Sequence, residues 1–204
     1  MPVKFAPLLQ QLSPTLAVLI ALSLITLTLG LERLYVLVQA RRALATRKRV
    51  LLAHLGDGAA SAALQANKQL PEHMTESLFG AILQNPSAQP QAIRRQQARI
   101  VRGARRRLWI LGSIGSIAPF VGLLGTVLGV MEAFAAMGSE GAGGFAVVSM
   151  GLSEALITTA AGIFVAVEAV LLFNGLQVLT ALYGAELKEA AEEVAEQRQV
   201  AHGA

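Results

Sequence analysis

The sequence predicts an all-α, polytopic membrane protein with three transmembrane helices and long cytoplasmic helical extensions, and three observations predict it. Apolar residues make up 54% of the 204 residues and charged ones only 15%, where soluble domains carry about 25% charged. The apolar residues gather in three long stretches, and 14 of the 17 Lys and Arg lie between the first two. Mean hydropathy is +0.55. Together these exclude a soluble enzyme with one buried core and a disordered chain. With no cysteine there is no disulfide framework and no thiolate nucleophile or metal ligand. The histidines His54, His73 and His202 are scattered, so neither a metal site nor a cofactor is expected. The pI is about 10.0, yet no aromatic residues interleave with the arginines, which argues against nucleic acid as a partner.

Residues 1–11 read as a short periplasmic N-terminus and residues 12–31 as the first span, 20 residues without a charge. That is about 30 Å of helix, the thickness of the hydrocarbon core. Pro14 falls near its start, where a missing N–H costs little. With one Lys ahead of it and no small-x-small cleavage site before Glu32-Arg33, it reads as an uncleaved span rather than a signal peptide.

Residues 32–107 form the cytoplasmic helical region. Helix one continues over 33–55, and Gly56-Asp57-Gly58 marks a turn. A short helix follows over 59–68, then a break at Pro71, then an apolar-faced helix over 74–83. A second turn spans 85–90, and a basic helix over 91–107 runs directly into span two, residues 108–137. Residues 138–149 are a periplasmic turn and the start of a helix, 150–173 the third span, and 174–204 a cytoplasmic C-terminal helix with five Glu.

Orientation follows from basic residues near the span ends. Arg33, Arg41, Arg42, Arg47, Lys48 and Arg49 follow span one, seven arginines from Arg94 to Arg107 precede span two, and the 138–144 loop has none. The N-terminus is therefore periplasmic and the C-terminus cytoplasmic. The arginines lie where they also meet anionic lipid headgroups.

Span two is unusually rich in glycine. Gly115, Gly122 and Gly129 recur every seven residues, and Gly125 with Gly129 makes a G-x-x-x-G. Span three adds a looser set of small residues that includes Gly162. Small residues let helix backbones approach closely in lipid. The polar candidates for a pore wall or proton pathway are Thr126, Glu154, Thr158, Thr159 and Glu168, with Glu132 near the outer end of span two. A carboxylate at the bilayer centre costs on the order of 2.5 kcal/mol or more, so it marks a pathway, a partner or a proton step. At 100° per residue Glu154 and Thr158 share a stripe, whereas Thr159 points about 140° away, so span three presents polar groups to two neighbours. Glu168 lies about 21 Å along the axis from Glu154, on the same broad face. Its nearness to the end of the span leads to two alternatives: an exit-side carboxylate, or a side chain paired with Arg106 or Arg107.

The segments "LGSIGSIAPFVGLLGTVLGVMEAF" and "GLSEALITTAAGIFVAVEAVLLFN" resemble the MotA/TolQ/ExbB proton-channel family, in its ExbB and TolQ branches. The resemblance implies a homopentamer around a central pore in the bacterial inner membrane. That pore would hold the transmembrane helices of two ExbD- or TolR-like single-span subunits. Proton flow would drive motion passed to a TonB- or TolA-like protein, energising outer-membrane transport or envelope integrity. In the family the threonine of "GLLGTV", here Thr126, lines the pore. The "SEAL" glutamate and the threonine five residues on are Glu154 and Thr159. Two departures stand out: Glu168 where relatives usually carry proline, and Glu132 where they tend to carry Asn or His. The competing expectations are a non-conducting scaffold and a pore that conducts without a partner. Only the motor predicts a neighbouring gene for a single-span protein with an Asp near its start.

Overall fold

The computed structural model describes residues 13–71, 75–85, 90–140 and 144–203. Among the described residues six helices follow one another: α1 Pro14–Gly56, α2 Ala60–Gln69, α3 Glu76–Gln84, α4 Pro90–Arg105, α5 Leu108–Glu140 and α6 Gly144–Gly203. The described residues contain no strand. Three helical stretches are long and apolar enough to cross a membrane: Pro14–Gly56, Pro90–Gly138 and Val148–Ala201. The described residues thus form an all-helical fold with three candidate spans. The N-terminal segment before Ser13, His73, and residues 86–89 and 141–143, where the sequence leads one to expect turns, lie outside the described residues.

Local chemistry accounts for the helix ends. Ser13 starts α1: its hydroxyl takes the Leu16 N–H at 3.4 Å and its carbonyl takes the Ala17 N–H at 3.1 Å, with Pro14 as the first helical residue. At the other end Gly58 donates to Leu55 O and Ala59 to His54 O, both at 3.0 Å, while Gly58 has φ 72°. This is a Schellman cap, which needs the left-handed conformation that glycine adopts freely.

Two boundaries differ from the sequence expectation. The basic helix does not run straight into span two, because α4 stops at Arg105 and Arg107 takes φ 75° before α5 begins. A left-handed non-glycine residue costs about 1–2 kcal/mol, and no Gly or Pro at 105–107 announces it. Residues 138–140, expected in a turn, still belong to α5. α6 runs on without a break through the C-terminal helix expected over 174–204. Its Ala- and Glu-rich C-terminal third holds no helix breaker, so nothing local stops it.

The chain divides into two units, one of residues up to Leu31 with Arg107–Gly175 and the other of Glu32–Arg106 with Leu176–Ala204. The first packs the charge-free part of α1, most of α5 and the first half of α6 around Leu19, Ile114, Ala118, Val165, Ala166 and Ala169. The second closes on Leu51, Leu78, Phe79, Ile82, Leu187 and Val194, all buried. Within it Arg41 pairs with Glu186 through two bonds, its Nε donating at 3.0 Å. Lys48 bridges Glu193 at 2.6 Å and Glu189 at 3.3 Å. The hydrogen bond to Glu193, more than the charge, holds the Lys48 ammonium above its usual range.

Candidate proton pathway

Close backbone approach sets the geometry of the α5–α6 seam. A Cβ added at Gly162 would sit 2.8 Å from both Ala118 O and Gly122 Cα. One added at Gly122 would meet Gly162 Cα and Thr158 O at 3.1 Å. At Gly162 an added methyl would force the backbone to shift, and at Gly122 it would be unusually tight. Further along, a Cβ at Gly115 would strike Val170 Cγ2 at 2.7 Å and one at Gly129 would reach Ala155 Cβ at 3.0 Å. Gly125 faces Thr158 on α6 and Thr15 on α1. The glycine stripe therefore packs α5 against its own α6, and at Gly125 against α1 as well.

That approach brings two hydroxyls together. Thr126 Oγ1 and Thr159 Oγ1 each lie 3.1 Å from the Gly122 carbonyl oxygen and within hydrogen-bonding reach of each other, so two of these three contacts are made at a time. Two hydroxyl hydrogens serve three contacts, so the pair can reverse its donor direction without moving the helices. Each hydroxyl is one donor and two lone pairs. Both threonines are half-buried.

Thr158 is 2% exposed and donates to Glu154 O at 3.1 Å. Its hydroxyl is thus used within its own helix, and its methyl fills the space beside Gly125. The expectation that span three turns polar groups to two neighbours needs revision: Thr158 and Thr159 both pack on α5 of the same chain. The second neighbour is α1, which receives Glu168.

Glu154 is exposed on the single chain and lines a cleft of about 120 Å³ with Glu132, Ser13, Thr15 and Thr158. Two carboxylates and three hydroxyl side chains thus border one cleft where α1 begins. Glu132, noticed in the sequence only as a departure, belongs with Glu154. Ser13 and Thr15 were missed, because nothing in a serine and a threonine at a helix start distinguishes a cleft wall from a cap.

Glu168 corrects the sequence expectation most. Ser23 Oγ donates to Glu168 Oε2 at 2.9 Å, and Glu168 Oε1 is buried with no hydrogen-bond partner. Ser23 is eight residues, or about 12 Å of helix, before Leu31. Glu168 therefore lies at mid-depth of the charge-free run of α1, not beside the basic residues at 106–107. Nothing in the sequence singles out Ser23 as the partner, because Thr15, Thr26 and Thr28 are hydroxyls of the same run. Among the described residues no group of His, Cys, Asp and Glu is arranged to hold a metal.

Residues 61–189 match the MotA/TolQ/ExbB proton channel family. The chain is 44% identical over 92 residues to a biopolymer transport protein ExbB of Neisseria gonorrhoeae, covering 43% of this chain and 42% of that protein. It is 38% identical over 104 residues to a Tol-Pal system protein TolQ of Pseudomonas aeruginosa, covering 47% of this chain and 45% of that one. A TolQ of Haemophilus influenzae is 38% identical over 80 residues, 39% of this chain and 35% of that protein. The chain thus aligns with less than half the length of these curated relatives. The family consists of channel proteins, not enzymes, and its match takes in α5, the glycine seam, both threonines and all three intramembrane glutamates. With its helices long enough to cross a membrane, this multi-pass chain belongs to the MotA/TolQ/ExbB proton channel family.

Proposed function

We propose that the chain is the channel-forming subunit of a proton-motive-force-driven motor in the bacterial inner membrane, with its N-terminus periplasmic and its C-terminus cytoplasmic. Five copies surround a pore holding the helices of two ExbD- or TolR-like subunits, and a TonB- or TolA-like protein carries the work to the outer membrane. Thr126, Thr159 and Glu154 form the polar wall against which the partner's titrating group moves, Thr158 supports it, and Gly115, Gly122, Gly125, Gly129 and Gly162 hold it in place. The observation that carries this reading is the hydroxyl pair at Gly122 O. It is a reversible hydrogen-bond switch in a seam otherwise made of glycine and apolar groups. Energising of outer-membrane transport is the first assignment, resting on 44% identity to an ExbB. An envelope-integrity motor is the second, favoured by the longer alignment of 104 residues with a TolQ.

The test is proton flux in liposomes containing this chain and its single-span partner. Thr126→Val and Thr159→Val keep shape and delete the hydroxyl, and Glu154→Gln keeps size and deletes the charge. Each is expected to cut flux per assembled complex at least about tenfold, equivalent to 1.4 kcal/mol of barrier. Wild-type flux in both threonine variants would remove these residues from the pathway.

A further inference from the structure

Charge on α4 is confined to one side. Ile100 and Ala104 are buried, whereas Arg95, Arg99 and Arg102 lie on the opposite side of the helix at 100° per residue and are exposed. Like charges at this spacing repel along a helix. Among the described residues none of the three has a hydrogen bond or an ion pair to offset that repulsion. Arg95 and Arg99 border an open groove of about 630 Å³ with Ser77, Gln96 and Ile100, in which the Gln96 amide donates to Ser77 Oγ at 2.9 Å. The orientation rule asks for basic residues near a span end. It does not ask that they form a stripe.

The same unit carries the opposite charge on the tail of α6. Tyr183, Leu187, Ala190 and Val194 are its buried stripe, and Glu189, Glu192 and Glu196 are exposed on the far side. Glu189 meets Lys48 at 3.3 Å yet stays 73% exposed. Glu192 meets Lys188 at 3.9 Å, between two exposed side chains. Among the described residues the tail glutamates pair with Arg41, Lys48 and Lys188, and none with an arginine of α4.

The two stripes also match in height. A Cβ added at Gly184 would lie 3.2 Å from Val101 Cγ2, and Ile93 and Arg94 line one cavity with Ala191 and Glu192. α4 and the tail therefore run antiparallel, which puts Glu192 and Glu189 within about 5 Å of the heights of Arg95 and Arg99. Copies related by a rotation axis along these helices present each residue at one height. Two different patches of one surface, complementary to each other, are what a head-to-tail ring requires.

We propose that the arginine stripe of α4 docks on the glutamate stripe of the α6 tail of a second copy, Arg95 against Glu192 and Arg99 against Glu189. The seam rests on the ring of the proposed function and fixes which surfaces of neighbouring copies meet and in what register. Charge pairs of this kind set specificity and register more than affinity.

The chain has no cysteine, so single cysteines report the seam. Full chains carrying Arg95→Cys and, under a second tag, Glu192→Cys are co-expressed and treated in membranes with a short bis-maleimide. Mixed dimers are expected to exceed either same-site dimer at least about tenfold, since a head-to-tail contact joins unlike patches. In detergent, Arg95→Glu and Glu192→Arg should each speed subunit exchange at least about threefold, and the two combined in one chain should restore it. Native mass spectrometry counts the copies independently. A ring without the mixed product, or a charge swap that restores nothing, overturns the seam and leaves the proposed function standing. The absence of any oligomer overturns both. Unchanged exchange in Arg95→Glu with loss of co-purified anionic lipid would give the arginines to the membrane surface and overturn the seam.

Discussion

Arg47 is the largest of the buried side chains among the described residues, at 2% exposure. Its guanidinium donates to Asn67 O at 2.9 Å, to Asn67 Oδ1 and to Pro71 O at 2.9 Å, while Asn67 Nδ2 donates to Glu76 O at 3.1 Å. One buried cation thus ties α1 to the connection between α2 and α3. Burial lowers the pKa of Arg47, and the nearby Glu76 partly offsets this. In the sequence Arg47 is indistinguishable from Arg42 or Arg49, all serving the orientation rule. Its burial depends on carbonyls twenty and more residues away, which no local pattern encodes. Ser23 and Glu168, 145 residues apart, escaped sequence reading for the same reason. Tyr183 presents the opposite case, a buried hydroxyl without a partner. Burial pushes its phenol up to about 12. A raised folded-state pKa means stability that is fully present below about pH 10, the unfolded value, and lost as pH rises toward 12. Tyr183→Phe should leave thermal stability at neutral pH unchanged or raise it by up to about 1 kcal/mol, since no hydrogen bond is broken. It should also flatten the loss of stability above about pH 10. A melting temperature several degrees lower at neutral pH would mean that the hydroxyl is satisfied after all.

At the scale of elements, the spans were legible because hydropathy and charge are local properties, and the cap after α1 because Gly56-Asp57-Gly58 has a direct backbone meaning. The break at Arg107 was not, since three consecutive arginines carry no breaker. Glycine spacing announced close packing but not the neighbour. The neighbour is α6 of the same chain, with Gly122 and Gly162 meeting backbone to backbone. This separates structural glycines from incidental ones by experiment. Gly162→Ala puts a methyl 2.8 Å from a carbonyl oxygen and an α-carbon, and neither can turn aside as a side chain could. It should cost about 1–3 kcal/mol, the usual penalty of overpacking, and lower the melting temperature in detergent. Gly175 has nothing within 4 Å of an added Cβ. Gly175→Ala should be neutral or stabilise by up to about 1 kcal/mol through helix propensity alone. Equal effects of the two substitutions would show that the seam is not closely packed.

At the scale of the whole molecule, what one chain leaves uncovered calls for others. Only 17%, 28% and 28% of the three apolar windows are buried within the chain. Large side chains such as Phe120, Phe164 and Leu171 are about two-thirds exposed or more. Lipid can cover those. It cannot cover Glu132 and Glu154, which are exposed beside the same cleft. Carboxylates facing hydrocarbon cost on the order of 2.5 kcal/mol or more each, so this face requires protein or water. A closed ring supplies both, because a copy seated beside the cleft excludes lipid while a lumen admits water. Identical subunits that meet head to tail close into a ring when the rotation between them permits. The proposed assembly has five copies. Native mass spectrometry of the chain released from mild detergent should therefore give a pentamer, and co-expression with its single-span partner should add two copies of that partner. Glu154→Gln lowers the cost of lipid exposure without changing shape, so the ring should persist in that variant while proton flux falls. A monomer or dimer across several mild detergents would sink the ring. A Glu154→Gln chain that fails to assemble would mean that the carboxylate joins subunits instead of serving the proton path.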